Sequence, residues 1–149
     1  MRSTLRYSLT EKVSLLQVPC DFGAYNRVYV FYKINEKDEL SQVTFARPDT
    51  KTDYSKPVDS AERQAFIGIS TRAMLVNARF DPSTKELTEF SLGRGLGDMF
   101  HASRWVYAEG DFQLLESWDD DTSDGQQNPM LLYYYPSFDQ PTWAATGSP

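Results

Sequence analysis

Arg27 to Ile34 reads Arg-Val-Tyr-Val-Phe-Tyr-Lys-Ile, and both of its faces are apolar through neighbours such as Phe31 and Tyr32. Aromatic and β-branched side chains suit a pleated surface, so this run predicts a central strand covered on both sides. A chain holding such a strand must supply sheet partners and covering layers, and the remaining sequence is cut to match. Lys12 to Val18 is a first apolar run, ended by Pro19. Asn35 to Glu39 reads as a turn, and Leu40 to Arg47 as the hairpin partner, with Val43 and Phe45 on one face. Ala73 to Phe80 alternates Met74, Val76, Ala78 and Phe80 against Leu75, Asn77 and Arg79. Asp81 to Lys85 supplies turn chemistry, and Leu87 to Leu92 returns with Phe90 and Leu92 inward. Ser103 to Tyr107 and Phe112 to Trp118 flank the tight turn Glu109-Gly110-Asp111, and Met130 to Tyr135 is a last strand closed by Pro136.

Two stretches read differently. Pro48 to Ala61 is polar and carries two prolines, which predicts a loop. Ser60 to Phe66 could start a short helix, with Ser60 as its cap. The expected fold is therefore mainly β: an antiparallel sandwich or barrel-like meander of about seven or eight strands with at most one short helix. The 149 residues fit one domain, residues 1–136, followed by a tail at 137–149. No fixed-period repeat points to a solenoid or propeller.

Charge narrows the partners. Fifteen Lys and Arg against 21 Asp and Glu give a net charge of −6, and the basic residues are scattered. Such a surface disfavours nucleic acid and anionic membranes, and matches a basic protein instead. No apolar run approaches the roughly 20 residues that cross a bilayer as a helix, which argues against membrane insertion. Met1 to Thr10 lacks the apolar stretch of a secretory signal, so a cytoplasmic location stays open. Cys20 is the single cysteine; it cannot form an internal disulfide, and its bland reading is a small buried hydrophobe.

Gly93-Arg94-Gly95-Leu96-Gly97-Asp98 is the most unusual segment. A phosphate cradle would need a helix directly after it, whereas Trp105 and Val106 beyond it read as strand. A structural corner is the better reading, with Arg94 and Asp98, four apart, as an internal clamp or a charged pair offered to a ligand. His101 lies near Asp98 and beside Ser103; a hydrolase using Asp98, His101 and Ser103 would need geometry that proximity in sequence does not supply. Asp119 to Gly125 superficially resembles a calcium loop, but from Asp119 the glycine falls at position 7, and from Asp120 the place of the bidentate Glu is Leu131. A solvated loop is the expectation, with neither metal nor cofactor. Alternation puts Tyr133 and Tyr135 on one side of the last strand and Tyr134 on the other, so at least one tyrosine is free for contacts.

The chain resembles the C-terminal part of the bacterial domain-of-unknown-function family 1176. The resemblance is carried by Pro19-Cys20, Gly23-Ala24-Tyr25-Asn26, Phe90 to Asp98, Trp105-Val106-Tyr107 and Phe112 to Glu116. It implies a periplasmic or secreted setting and no particular reaction. In the family a cysteine usually follows the Asp of the Gly-rich run; here that position is Met99, so any bond the family makes there is absent and Cys20 stands alone. The expected function is a non-enzymatic binding domain of the envelope that engages a basic protein such as a cell-wall hydrolase, through Arg94, Asp98, His101, Tyr133 and Tyr135. A structural or self-associating module is the alternative of another class.

Overall fold

The computed structural model describes residues 3–135 and contains twelve strands, all paired antiparallel. The expected tail at 137–149 lies outside the described residues. Sheet I comprises β1 (Leu5–Ser8), β2 (Val13–Phe22), β3 (Arg27–Asn35) and β4 (Leu40–Gln42), with β7 (Met74–Val76) joining the same strand β3. Sheet II has the order β12 (Met130–Tyr134), β11 (Asp111–Asp120), β10 (Phe100–Ala108), β9 (Glu86–Leu92), β8 (Arg79–Asp81). A separate two-stranded ribbon is formed by β5 (Phe45–Thr52) and β6 (Gln64–Arg72). The mainly β expectation holds, with more and shorter strands than the seven or eight read from sequence.

Phe45 explains how the layers meet. Its ring is 5.4 Å from Phe31 of sheet I and 5.4 Å from both Trp105 and Phe112 of sheet II. Leu15, Phe31, Leu75, Leu87 and Trp105 are, like Phe45 itself, fully buried in the same core. Burying one such side chain is worth roughly 1.5–3 kcal/mol, and the tilted ring pairs add to that. The Trp105 indole N–H donates to the Ala46 carbonyl at 2.8 Å, tying the ribbon to sheet II.

Several expectations change. β2 continues through Pro19 to Phe22, because β1 pairs only as far as Gln17 and the ladder to β3 shifts register between Pro19 and Asp21. Proline is tolerated on such an unpaired edge and at a bulge. Pro48 to Thr52 is strand rather than loop: Phe45 and Pro48 are buried, most of the other β5 side chains are half-buried, and the ladder to β6 pairs the backbone, so polar side chains do not oppose it. The proposed helix reduces to a 3-10 turn, Ala61–Arg63, after which Phe66 already lies in β6. The single run Ala73 to Phe80 is broken at Asn77, which takes φ +49° and resets the phase. Leu75, Ala78 and Phe80 are buried, while Met74 is 57% exposed. In β9 the inward residues are Leu87 and Glu89, opposite Trp105 and Ser103, whereas Phe90 stacks on Phe100 at 4.9 Å. The β10–β11 turn is as expected, with Glu109 and Gly110 at φ +53° and +90°, the primed geometry that matches strand twist.

Candidate functional site

The Gly-rich corner joins β9 to β10. Gly97 needs φ +76°, and Gly95 lies against the Tyr25 ring, where a Cβ would already touch at 3.6 Å. The Arg94 guanidinium grips both oxygens of the buried Asp98 carboxylate, with Nε to Oδ1 at 2.6 Å. Asp98 Oδ2 also accepts the Gly125 N–H at 2.8 Å, and Gln127 Nε2 donates to the Gly97 carbonyl at 2.9 Å. The Arg94 contact first, and the Gly125 amide after it, hold the Asp98 carboxyl well below the usual carboxylate range. On the other flank, Asn26 Nδ2 donates to the Leu92 carbonyl at 2.8 Å and its Oδ1 accepts the Leu92 N–H at 3.1 Å. Arg94 and Asp98 thus form a clamp that fixes the corner between the β2–β3 turn and the β11–β12 loop.

His101 belongs to a different cluster, on the inner face of sheet II. Its Nε2 lies 2.8 Å from Ser103 Oγ, which is 2.7 Å from Ser117 Oγ. Arg47 of the ribbon donates to His101 Nε2 at 3.1 Å, so the ring proton sits on Nδ1, 3.5 Å from Asp119 Oδ1. The carboxylate facing His101 is therefore Asp119, and the Asp98, His101 and Ser103 constellation does not assemble. Ser103 and Ser117 are buried, and Arg47 covers the nitrogen a general base would use. Arg47 also approaches the buried Glu89 at 3.8 Å; Glu89 Oε1 accepts the Val76 N–H at 2.9 Å, while Oε2 has no hydrogen-bond partner among the described residues. This arrangement cements the ribbon onto the sheet.

The acidic loop turns its oxygens on itself. Asp120 accepts from Thr122 N, Thr122 Oγ1 and Asn128 N, Asp124 accepts from Gln126 N, and Asp121 pairs with Arg63 at 3.6 Å. Among the described residues, no three His, Cys, Asp or Glu side chains group as metal ligands. Cys20 is exposed, contrary to the buried reading, because the register shift in β2 leaves it outside the ladder. Partial burial, then Asp21, raises its thiol pKa and so lowers its reactivity. Tyr133 and Tyr135 line one shallow depression of about 230 Å³ with Ala46 and Ile69; Tyr133 packs on the core and Tyr135 is exposed.

None of Arg94, Asp98, His101, Tyr133 and Tyr135 lines a second, larger cleft. That cleft, open and about 820 Å³, lies between the β1–β3 end of sheet I and β8–β9 of sheet II. Tyr7, Tyr25 and Tyr29 wall it, Phe80 closes its floor, and Arg27 and Arg79 stand at its sides. Its size falls in the range of ligand sites. Neither arginine makes a salt bridge among the described residues. Tyr7 rests on Phe80 at 5.1 Å between ring centres, and burial, then Tyr29, raises its phenol pKa, so it stays a neutral hydrogen-bonding group. Sequence reasoning missed this site because it is assembled from strands far apart in the chain. Tyr7 sits on a strand of only four residues, and Arg79 follows the break at Asn77.

Residues 2–134 match the family described as protein of unknown function (DUF1176), and the chain belongs to that family. It is 26% identical over 122 residues to the "Uncharacterized protein YpfG" of Escherichia coli (strain K12), covering 82% of this chain and 31% of that protein. The chain thus spans about a third of the length of this curated relative. No solved structure matches it.

Proposed function

We propose that this is a non-enzymatic binding domain of the bacterial envelope whose recognition surface is the Tyr7–Tyr25–Tyr29 cleft. The observation that carries the reading is the wall of that cleft. Gly23, Ala24, Tyr25 and Phe90, all within segments through which the chain resembles its family, line it beside Arg27 and Arg79. Tyrosines offer flat apolar faces with hydroxyl tips, and arginine forks match carboxylates. Together they suit an acidic glycan, its rings on the tyrosines and its carboxylates on the arginines. The envelope setting comes from the resemblance, and fractionation of the intact gene product tests it independently.

Calorimetric titration with a carboxylate-bearing oligosaccharide and its neutral counterpart tests the ligand class. Binding of the acidic form, weakened by Arg79→Glu and by salt, is expected. Equal binding of both forms, or an unaffected Arg79→Glu protein, would sink the reading. A second reading follows from the net charge of −6: a basic protein, such as a cell-wall hydrolase, docking elsewhere on the acidic surface. Salt-sensitive retention of a lysozyme-type enzyme by the immobilised domain is its signature, and retention that survives Arg79→Glu separates it from the cleft.

A further inference from the structure

We propose that Glu89 is the specificity-determining acceptor of the Tyr7–Tyr25–Tyr29 cleft, and that it selects a ligand by a neutral hydroxyl, as a sugar ring supplies. The inference rests on the reading of that cleft as the recognition surface and concerns its inner end. Two of the lining side chains are polar and buried: Gln17 of β2 is 3% exposed and Glu89 of β9 is 2% exposed. Each lies two residues from a core leucine on its strand, Leu15 and Leu87, so both approach the cleft from the inner faces of the two sheets. Gln17 is satisfied: its Nε2 donates to the Ala78 carbonyl at 3.1 Å, and its Oε1 accepts from the Tyr7 hydroxyl at 3.4 Å. Glu89 is not. Its Oε1 accepts the Val76 N–H, and its Oε2 has no hydrogen-bond partner among the described residues.

A buried polar atom without a hydrogen bond is costly, so the missing partner has to be a donor. It also has to be neutral. Arg47 already stands 3.8 Å from Oε1 as the opposite charge, and a ligand ammonium would set a second cation beside it. A hydroxyl supplies the donor without the charge. A sugar laid on the tyrosine faces carries hydroxyls around its ring edge. One of them can point to the inner end while a carboxylate meets Arg27 or Arg79 at the sides. Such a contact discriminates strongly, because an analogue without the hydroxyl leaves the buried carboxylate oxygen unpaired.

Oε2 is closed to solvent as the cleft stands, so the ligand reaches it through a side-chain rotation, a common adjustment at interfaces. Tyr7 can give way: β1 is a four-residue edge strand, and the Tyr7 hydroxyl is held only by the long 3.4 Å bond to Gln17. The contact made there is shielded from water, which strengthens a charge-assisted hydrogen bond.

Calorimetric titration of wild type and Glu89→Gln with trigalacturonate, and with its carboxyl-reduced neutral form, tests the assignment. The variant keeps an acceptor for the Val76 N–H and should melt like wild type. It should nevertheless bind trigalacturonate about tenfold or more weakly, since a charge-assisted hydrogen bond is lost. In wild type labelled with carbon-13, the carboxyl resonance assigned to Glu89 should shift on saturation, a readout that needs no variant. If both sugars bind wild type equally and the substitution weakens both, the acidic preference fails and the Glu89 contact stands. Trigalacturonate binding that Arg79→Glu weakens and Glu89→Gln leaves alone, with an unmoved Glu89 resonance, keeps the cleft and overturns this assignment; an ordered water then serves Oε2. Binding of neither sugar by wild type overturns both.

Discussion

The side-chain amide of Asn26 exchanges two hydrogen bonds with the backbone of Leu92, 66 residues away, as a neighbouring strand would. Asn77 extends the link. Its Oδ1 accepts the Arg27 N–H at 2.9 Å, and its Nδ2 reaches Asn26 Oδ1 at 3.1 Å and the Phe90 carbonyl at 2.9 Å. Two asparagine side chains thus join the β2–β3 turn to the end of β9, bridging the two sheets where the cleft opens. Asn26→Ala leaves the Leu92 donor and acceptor unpaired in a partly buried place, at a cost of about 1–3 kcal/mol. Urea unfolding should show this, together with faster amide exchange at Leu92. Unchanged exchange there would mean the amide pair is dispensable.

Asp98 makes stability pH-dependent. Its folded pKa is depressed, chiefly by Arg94 and then by the Gly125 amide, so the carboxylate's contribution is complete above its unfolded value and is lost as pH falls towards the folded one. The unfolded value is about 4. Asp98→Asn should therefore melt below wild type by a constant margin between pH 8 and 5, and the margin should shrink progressively as pH falls below about 4 towards the much lower folded value. A margin unchanged from pH 5 down to pH 2 would assign the effect to amide geometry instead of charge.

Arg47 and Glu89 offer a test of the cement between ribbon and sheet. The Glu89 side chain is fully buried, so Arg47→Ala leaves its charge without a counterpart and strips a donor from His101. The expected loss is about 2–4 kcal/mol, since breaking a buried pair costs more than the pair contributes. Glu89→Gln keeps an acceptor for the Val76 N–H and removes the charge, so it should be nearly neutral. The double variant should regain much of what Arg47→Ala loses. Additive losses in chemical denaturation would show that the two residues act independently.

These relationships divide along what a sequence can express. The central strand at Arg27 to Ile34, the Asp81 turn and the Glu109-Gly110 turn were legible, because strand propensity and turn chemistry are local. Phase was not: a single left-handed residue, Asn77, moves the buried set from the Met74 series to Leu75, Ala78 and Phe80. The ribbon was hidden because β5 carries Pro48, Asp49 and Lys51, which read as loop, although backbone pairing with β6 holds them in a strand that buries only Phe45 and Pro48. At the site, Arg94 with Asp98 was readable from its spacing around glycines, and His101 with Ser103 from its period of two. Their partners Gly125, Arg47 and Asp119 come from other elements, and the cleft is built wholly from such long-range contacts.

The β10–β11 turn allows a gain instead of a loss. Both central residues of a primed two-residue turn need positive φ, and Glu109 at +53° bears a strain that Gly110 at +90° does not. Glu109 is exposed and makes no ion pair among the described residues, so replacing it removes no contact of that kind. Asparagine enters the left-handed region more readily, and Glu109→Asn should stabilise the domain by about 0.5–1 kcal/mol. Gly110→Ala should act in the opposite sense by at least as much, although a Cβ there has open space, because the backbone angle and not crowding opposes it. Lys33 Nζ, which donates to the Gly110 carbonyl at 2.8 Å, reports on the turn in both proteins. Urea midpoints that move in opposite directions at unchanged slope would establish that backbone conformation sets this turn's stability. A Glu109→Asn protein no more stable than wild type would instead show that the flanking strands impose the turn whatever residue occupies it.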